Sequence, residues 1–394
     1  MLKIRLSYIA AVIVSVLLLY VGNRIALDGF SAFQGAQHEV VSAVVLNIVE
    51  RTQPGDNLEV FDDFDWFSEF LPSLGETLVF EAEITRGIQR GRIITAEQSL
   101  GGILGHSAAR EVTTGDRILL VNFDHGWFFS GHLRTNNLLI LGIIFTLFVL
   151  FFGGAKGFNT ILSLGLTFGA IFAVFIPSIL SGKNIYLMAV LVCLYTTTMT
   201  LTLVIGFNKK AFTAALGCIS GIVVTGIITL IMNRILFLTG VVDEHSRFLL
   251  TLPIDNQINL RAIIFAGIII GAMGAIMDVA MSISSALWEL KEKAKTITFE
   301  TMLRSGLNIG RDIFGTMANT LILAYIGTSL SVVLILGVYS NSLFDLLNSE
   351  MIVVEILQAL AGSFGILFAM PLTALFCSIF FLKDTKKDKQ NTLG

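Results

Sequence analysis

Residues 262–289 read AIIFAGIIIGAMGAIMDVAMSISSALWE, and this run decides the class of fold. It is long enough to cross a bilayer as one helix, since about 20 apolar residues suffice. Two of its side chains are charged, Asp278 and Glu289, while Ser282 and Ser285 stand four and seven residues after Asp278. Positions three or four apart share one face of a helix, so these groups form a single polar stripe. Because hydrocarbon penalises such groups, we expect the stripe to face protein or water.

The chain as a whole is too apolar for a soluble protein. Hydrophobic residues make up 54% of its 394 residues, charged residues make up 14%, and the mean hydropathy is +0.81, whereas a soluble globule is about 45–50% apolar. The net charge of −3 excludes a general nucleic-acid binder, which carries a concentrated basic face. The three cysteines all lie in apolar runs, which excludes a disulfide framework or a zinc cluster built from them. We predict a membrane protein with no metal site and no cofactor.

About eight apolar runs have the length of a membrane-spanning helix. Lysine and arginine are concentrated in every second connection, beginning with Lys3 and Arg5 before the first run. The positive-inside rule places those connections, and with them both termini, in the cytoplasm. The predicted spans are approximately 5–22, 136–153, 158–180, 185–207, 211–237, 262–289, 313–338 and 353–382.

These spans divide the chain into four parts. Residues 1–23 are predicted to be an N-terminal signal-anchor helix, and residues 24–135 an extracytoplasmic β-domain between spans one and two. Residues 136–382 form a seven-span α-helical transmembrane bundle, and residues 383–394 a basic cytoplasmic tail.

The extracytoplasmic segment has the pattern of a small β-protein. Five short runs are rich in Val, Ile, Leu and Phe, and turn residues such as Gly115-Asp116 separate them. We predict a small antiparallel, OB-like barrel, with an insert at 61–69 that mixes acids with aromatics and lies against the membrane interface. The predicted strands are Glu39–Glu50, Thr77–Thr85, Arg92–Ala96, Arg117–Phe123 and Trp127–Ser130.

A second polar stripe opens the seventh span, where Asp312, Thr316 and Asn319 are again four and three residues apart. Spans six and seven run in opposite directions, so the two stripes overlap in depth. We therefore expect a cytoplasm-facing polar cavity between these spans, with Asn319 nearest to Asp278. The connector Thr298–Gly306 predicts a short capped helix at the surface.

Asp278 is the central residue of this hypothesis. Near the middle of a bilayer a bare carboxylate costs about 2.5–3.5 kcal/mol, so it needs a cation, a proton or a donor partner. Two interpretations remain open: an ion- or proton-carrying carboxylate, and a structural carboxylate bonded to Ser, Thr or Asn of an adjacent helix. The candidate ion- or substrate-binding residues are Asp278, Ser282, Ser285, Thr316, Asn319 and Thr320. The candidate residues of the cavity mouth are Glu289, Arg311 and Asp312.

Two long motifs resemble a known family. Residues 277–289, MDVAMSISSALWE, and residues 305–325, SGLNIGRDIFGTMANTLILAY, resemble the YibE/F family of bacterial multi-pass membrane proteins. The resemblance covers nearly the whole chain, and its motifs coincide with the two polar stripes. It implies a multi-pass protein of the bacterial plasma membrane, and it brings no assigned substrate or catalytic residue.

The sequence thus predicts a permease for a small ion or polar solute, with the lipid bilayer as its surroundings. The alternative is a non-transporting membrane component whose outer β-domain binds a protein partner or an envelope polymer. An intramembrane enzyme would need two titratable groups converging in a wet cavity. The candidate pair, Asp278 and Asp312, differs in depth by about 10 Å or more. We therefore predict no enzymatic activity.

Overall fold

The computed structural model describes residues 2–27, 39–52, 76–86, 89–100, 110–123, 126–251, 257–294, 297–339 and 342–391. The chain divides into two compact units, one formed by Met1–Ala32 with Val149–Gly394 and the other by Phe33–Phe148. The predicted insert at 61–69 lies outside the described residues.

The smaller unit contains a closed five-stranded barrel. The alternating sequence pattern predicts a small barrel of about five strands, and the structure adds its closure. Its strand order is β1-β2-β3-β5-β4, and β4 pairs with β1 to close it. One departure from the prediction is the pairing of β3 with β5, which is parallel. The strands are β1 (Val40–Thr52), β2 (Glu76–Ile84), β3 (Ile93–Leu100), β4 (Arg117–Phe123) and β5 (Gly126–His132).

Alternate side chains of these strands build a core of their own. Leu78, Phe80 and Ile118 are almost fully buried in it. Gln98 is buried beside them, donates to the Arg110 carbonyl at 3.1 Å and accepts from the Val112 amide at 2.9 Å. Its amide thereby fixes the segment that leads into β4, since buried polar groups are stable only when they are paired.

The turn before β4 offers a test of the barrel's stability against pH. The Asp116 carboxylate accepts from the Thr113 amide at 2.8 Å and from the Thr113 hydroxyl at 2.9 Å, and the amide hydrogen bond in particular lowers the pKa of Asp116. The lowered folded-state pKa means that the carboxylate stabilises the barrel above the ordinary aspartate pKa of about 3.9. This contribution disappears as the pH falls through the lowered value.

We expect Asp116→Asn to destabilise the barrel at neutral pH by about 1 kcal/mol or less, because a neutral amide accepts more weakly than a carboxylate. The difference from wild type should vanish in acid. Hydrogen exchange of barrel peptides, corrected for intrinsic rates, measures this in the full chain. Glu83→Gln, at an exposed position on β2, serves as the control. A stability difference between wild type and Asp116→Asn that persists at a pH below the lowered pKa of Asp116 would contradict the role given to the carboxylate.

The larger unit is helical, and its apolar helices are consistent with a membrane protein. The first part of α2, up to Phe148, belongs to the smaller unit. With α2 given in full, the helical elements are α1 (Leu2–Ala26), α2 (Thr135–Gly169), a π-helical turn (Ala170–Phe175), α3 (Ile176–Leu180), α4 (Ile185–Ile205), α5 (Lys209–Ile235), α6 (Glu244–Leu250), α7 (Leu260–Lys293), α8 (Phe299–Thr328), α9 (Leu330–Tyr339), α10 (Leu343–Asn348) and α11 (Glu350–Asn391). Within the described ranges, six helical stretches are long and apolar enough to cross a membrane, or up to seven if the bent pair α8 and α9 forms one span.

Helix α2 is interrupted at Gly154, whose φ of 52° and ψ of −131° are not helical. Along a straight helix, residues 149 and 157 would lie about 12 Å apart. A Cβ placed on Gly157 would instead overlap the carbonyl oxygen of Val149. The helix is therefore sharply bent at Gly154, between the predicted spans 136–153 and 158–180.

The predicted short connector helix at Thr298–Gly306 is wrong as a separate element. Thr298 caps it, since its hydroxyl accepts from the Thr301 amide at 3.2 Å, but the helix continues without a break to Thr328. It then bends by 60° into α9. The capping signal was correct, and the helix continues through Gly306 and Gly310, where no proline interrupts it.

Glycines allow α5, α7 and α11 to pack closely. A Cβ on Gly221 would lie 2.7 Å from Ile276 Cγ2 of α7 and 2.8 Å from the Gly365 carbonyl oxygen of α11. A Cβ on Gly217 would overlap the Thr373 hydroxyl. Small residues of this kind let helix backbones approach one another. The back of α7 is thereby buried, and this fixes the direction in which its front faces.

Candidate functional site

The exposed front of α7 carries Asp278 and extends in both directions from it. Ser282 and Ser285 follow at offsets of four and seven, and both are partly exposed. Three glycines precede Asp278 at offsets of four, seven and eleven, and all three are exposed. We call this set the α7 stripe: Gly267, Gly271, Gly274, Asp278, Ser282 and Ser285.

The polar side chains of the α7 stripe are not bonded to other described side chains or to the described backbone. Among the described residues, the Asp278 carboxylate and the hydroxyls of Ser282 and Ser285 have no hydrogen-bond or ion-pair partner. Ser284, on the buried side of the same helix, behaves differently. Its hydroxyl donates to the Lys210 carbonyl at 2.9 Å and lies 2.9 Å from the Thr213 hydroxyl. The free groups are therefore confined to the stripe, where they can bind a ligand or a proton.

Contacts between α7 and α8 fix the level at which Asp278 lies. A Cβ on Gly271 would lie 2.7 Å from the Tyr325 hydroxyl, and one on Gly306 would lie 2.9 Å from Leu287 Cδ1. The two helices therefore run antiparallel. Interpolating at about 1.5 Å per residue places Asp278 level with residues 316–318 of α8. This agrees in depth with the predicted overlap of the two polar stripes.

The side chains of α8, however, do not close over Asp278. The face of α8 that contains Gly306 and Gly310 packs on α11. Asp312, Thr316 and Asn319 lie about 180–240° around the helix from Gly310 and are exposed. Within the described part of the chain, no hydrogen bond joins Asn319 to Asp278. The structure brings the two stripes to one depth without joining them in a hydrogen-bonded cluster.

The threonines of α8 use their hydroxyl hydrogens within the helix. Thr316 donates to the Ile313 carbonyl at 2.9 Å and Thr320 to the Thr316 carbonyl at 2.8 Å. Such bonds are the ordinary local behaviour of threonine in a helix. Each hydroxyl oxygen still has acceptor capacity, which is what a cation would use.

The predicted mouth residues lie at the surface. Glu289 is exposed and accepts from Lys293 Nζ at 2.6 Å, an ion pair of one helical turn. Beside it, Trp288 donates to Glu292 at 2.7 Å, and Lys291 Nζ lies 5.2 Å from the centre of the Trp288 ring in a cation–π contact. Arg311 and Asp312 on α8 are both exposed. By the same interpolation, however, Arg311 and Asp312 lie level with residues 282–283 of α7, well inside α8 and away from Glu289 at the end of α7. The three predicted mouth residues therefore do not share one level.

The sequence did not identify several polar neighbours of the α7 stripe. Tyr325 places its hydroxyl against Gly271, and Gln358 Nε2 would lie 3.8 Å from a Cβ added at Gly271. On the side of α5, Cys218 is within electrostatic reach of Asp278, and its sulfur lies 3.6 Å from the Thr197 hydroxyl. Tyr325 and Gln358 are distinguished by their approach to Gly271, and Cys218 by its position near Asp278. These contacts join different helices, so the spacing along one helix does not reveal them.

Residues 141–383 match the family model described as YibE/F-like protein. The chain belongs to the YibE/F-like family. The match contains both polar stripes, so the two motifs that predicted the family lie inside it. It starts after the barrel and α1, to which the sequence resemblance was also extended. No curated protein and no solved structure matches this YibE/F-like chain.

The chemistry available to this YibE/F-like protein at the stripe is limited to oxygen ligands. Among the described residues, no three His, Cys, Asp or Glu side chains come together as a metal cluster would require. One carboxylate with two hydroxyls is instead a sparse, hard-oxygen set. Such a set suits a proton or a weakly held cation that keeps part of its water shell.

Proposed function

We propose that this protein is a plasma-membrane permease that moves a proton or small cation along the α7 stripe. The observation that supports it is Asp278 itself: a carboxylate in the interior of a long apolar helix, on an open face, without a partner among the described residues. An ionisable group inside a membrane span is costly, and such groups commonly mark ion pathways and proton relays.

The sign of the charge favours a cation or proton as the transported species. Between Gly267 and Ser285, Asp278 is the single charged residue on the sequence of α7, and its neighbours on the stripe are glycine and serine. An anion site would present donors or positive charge in the same place. At Gly267 and Gly274 a Cβ would meet nothing within 4 Å, so these two glycines leave room for water or a hydrated ion near the carboxylate.

In this proposal the chain crosses the membrane eight times, with the bend at Gly154 separating spans two and three. Both termini are cytoplasmic, because this arrangement places the lysine-rich connections on the inside. The serine end of the stripe and Glu289 then open to the cytoplasm, while the glycine end leads toward Tyr325 and Gln358. The barrel lies on the outer side of the membrane.

Cysteine accessibility tests whether the stripe is wet. We expect Ser282→Cys and Ser285→Cys to react with a water-soluble, membrane-impermeant maleimide applied from the cytoplasmic side of inverted vesicles. Ser284→Cys is the matched control, because Ser284 is fully buried. The native Cys193, Cys218 and Cys377 are also buried, so wild type gives the background.

Labelling of the two stripe positions well above Ser284→Cys supports a hydrated pathway. Equal and negligible labelling at all three positions would contradict it, since the stripe would then face lipid or a closed helix contact. Size-exclusion profiles of the variants in detergent verify that each one is folded.

A further inference from the structure

The exposed side of α8 carries residues at the spacing typical of helix–helix packing. Six of its positions follow one another at intervals of four, three, four, three and four residues, the repeat with which two helices pack along a shared seam. We call these six positions the α8 face: Asn308, Asp312, Gly315, Asn319, Ile322 and Ile326.

The α8 face lies away from the rest of the larger unit. Asn308, Asp312, Gly315, Asn319 and Ile326 are exposed, and Ile322 is partly exposed. A Cβ on Gly315 would have no heavy atom within 4 Å. The packed face, with Gly306 and Gly310, lies on the other side of the helix. The α8 face is therefore free to receive another element along its whole length.

Lipid is a poor neighbour for this surface. An asparagine and an aspartate in contact with hydrocarbon lose hydrogen bonds to water without replacement, which is unfavourable for both. We propose that the α8 face is the contact surface of a homodimer, in which α8 of one chain packs in parallel against α8 of a second copy. This inference concerns assembly and does not depend on transport.

A second copy fits because the face is complementary to itself. All copies have the same orientation in a membrane, so a two-fold axis normal to it brings each residue next to its counterpart. The Asn319 amide has both donors and an acceptor, so two copies can bond to each other, and a seam asparagine of this kind fixes register. Gly315 lets the backbones approach. Arg311, at the edge of the seam, offers a positive charge to Asp312 of the other copy.

Disulfide cross-linking in native membranes tests the proposal. We expect Asn319→Cys and Gly315→Cys to give a dimer-sized band on non-reducing gels after mild copper-phenanthroline oxidation. Val223→Cys is the control, because Val223 is half exposed on α5, where no seam is proposed. Wild type, with its buried native cysteines, gives the background.

A dimer band at both seam positions, and none at Val223→Cys, is the expected result. The proposal is overturned if the seam variants cross-link no more than Val223→Cys, or if they link to a product of another mass. It is equally overturned if Asn319→Cys reacts rapidly with a water-soluble maleimide and forms no dimer, because the face then lines water. As a second measurement, Asn319→Leu should lower energy transfer between differently labelled copies at equal expression.

Discussion

Asp278→Asn should lower the flux of protons or cations into reconstituted vesicles by about tenfold or more, the change that 1.4 kcal/mol of lost interaction produces. The asparagine keeps the size and removes both the negative charge and the site of protonation. The measurement is the fluorescence of an entrapped pH dye after a pH gradient is imposed, and of entrapped cation-sensitive dyes after gradients of Na⁺, K⁺, Mg²⁺ or Ca²⁺ are imposed. Empty vesicles give the background leak.

Glu289→Gln is the matched control for this result. It also removes one negative charge from α7, but from an exposed residue paired with Lys293 at the end of the helix. Exposed ion pairs contribute little because solvent screens them, so its flux should stay near that of wild type. Equal flux in wild type and Asp278→Asn would remove Asp278 from the pathway. Loss of phenotype on deleting residues 33–130, with Asp278→Asn silent, would favour the partner-binding alternative.

Gly221→Val should strongly destabilise the helical bundle. Its Cβ would lie 2.7 Å from Ile276 Cγ2, 2.8 Å from the Gly365 carbonyl oxygen and 3.0 Å from Ala369 Cβ. Two of these neighbours are on α11 and one of the three atoms is backbone, so relief requires α5 and α11 to separate. Overpacking of this kind costs about 1–3 kcal/mol or more. We expect the midpoint of thermal unfolding in detergent to fall by about 5 °C or more.

Gly165→Val is the control for that experiment. A Cβ on Gly165 meets nothing within 4 Å, so the same substitution should leave the unfolding midpoint close to that of wild type. If both variants unfold at the wild-type temperature, the contact of α5 with α7 and α11 does not limit stability. Packing of α7 on α5 and α11 would then not explain the direction in which the α7 stripe faces.

The barrel and the helices could be predicted from the sequence because each has a strong local signal. Alternation in Glu81–Thr85 and the turn at Gly115-Asp116 predict a strand and a turn, and about five such strands predict a small barrel. Closure of the barrel could not be predicted, because it depends on the pairing of β1 with β4. The parallel pairing of β3 with β5 could not be read locally, since it depends on which strands meet after the chain has crossed the barrel. Likewise, no sequence signal near Gly306 predicts that the connector and the span that follows form one helix.

The site was predictable in composition and less so in arrangement. Helical spacing placed Asp278, Ser282 and Ser285 on one face, and the structure has them there. The same spacing cannot say toward which neighbour the face of Asn319 turns, because that is decided by the glycines at 306 and 310 that dock α8 on α11. Periodicity gives the faces of a helix, and only packing gives their partners.

The most direct test of the account is the reaction of Asp278 with a hydrophobic carbodiimide in membranes, followed by peptide mass spectrometry. These reagents modify carboxyl groups that are protonated in an apolar setting. We predict an adduct on Asp278 that diminishes at higher pH and in the presence of the cation that drives flux. An Asp278 that stays unmodified, or whose modification no cation and no change of pH affects, would contradict the claim that it is the ion or proton site.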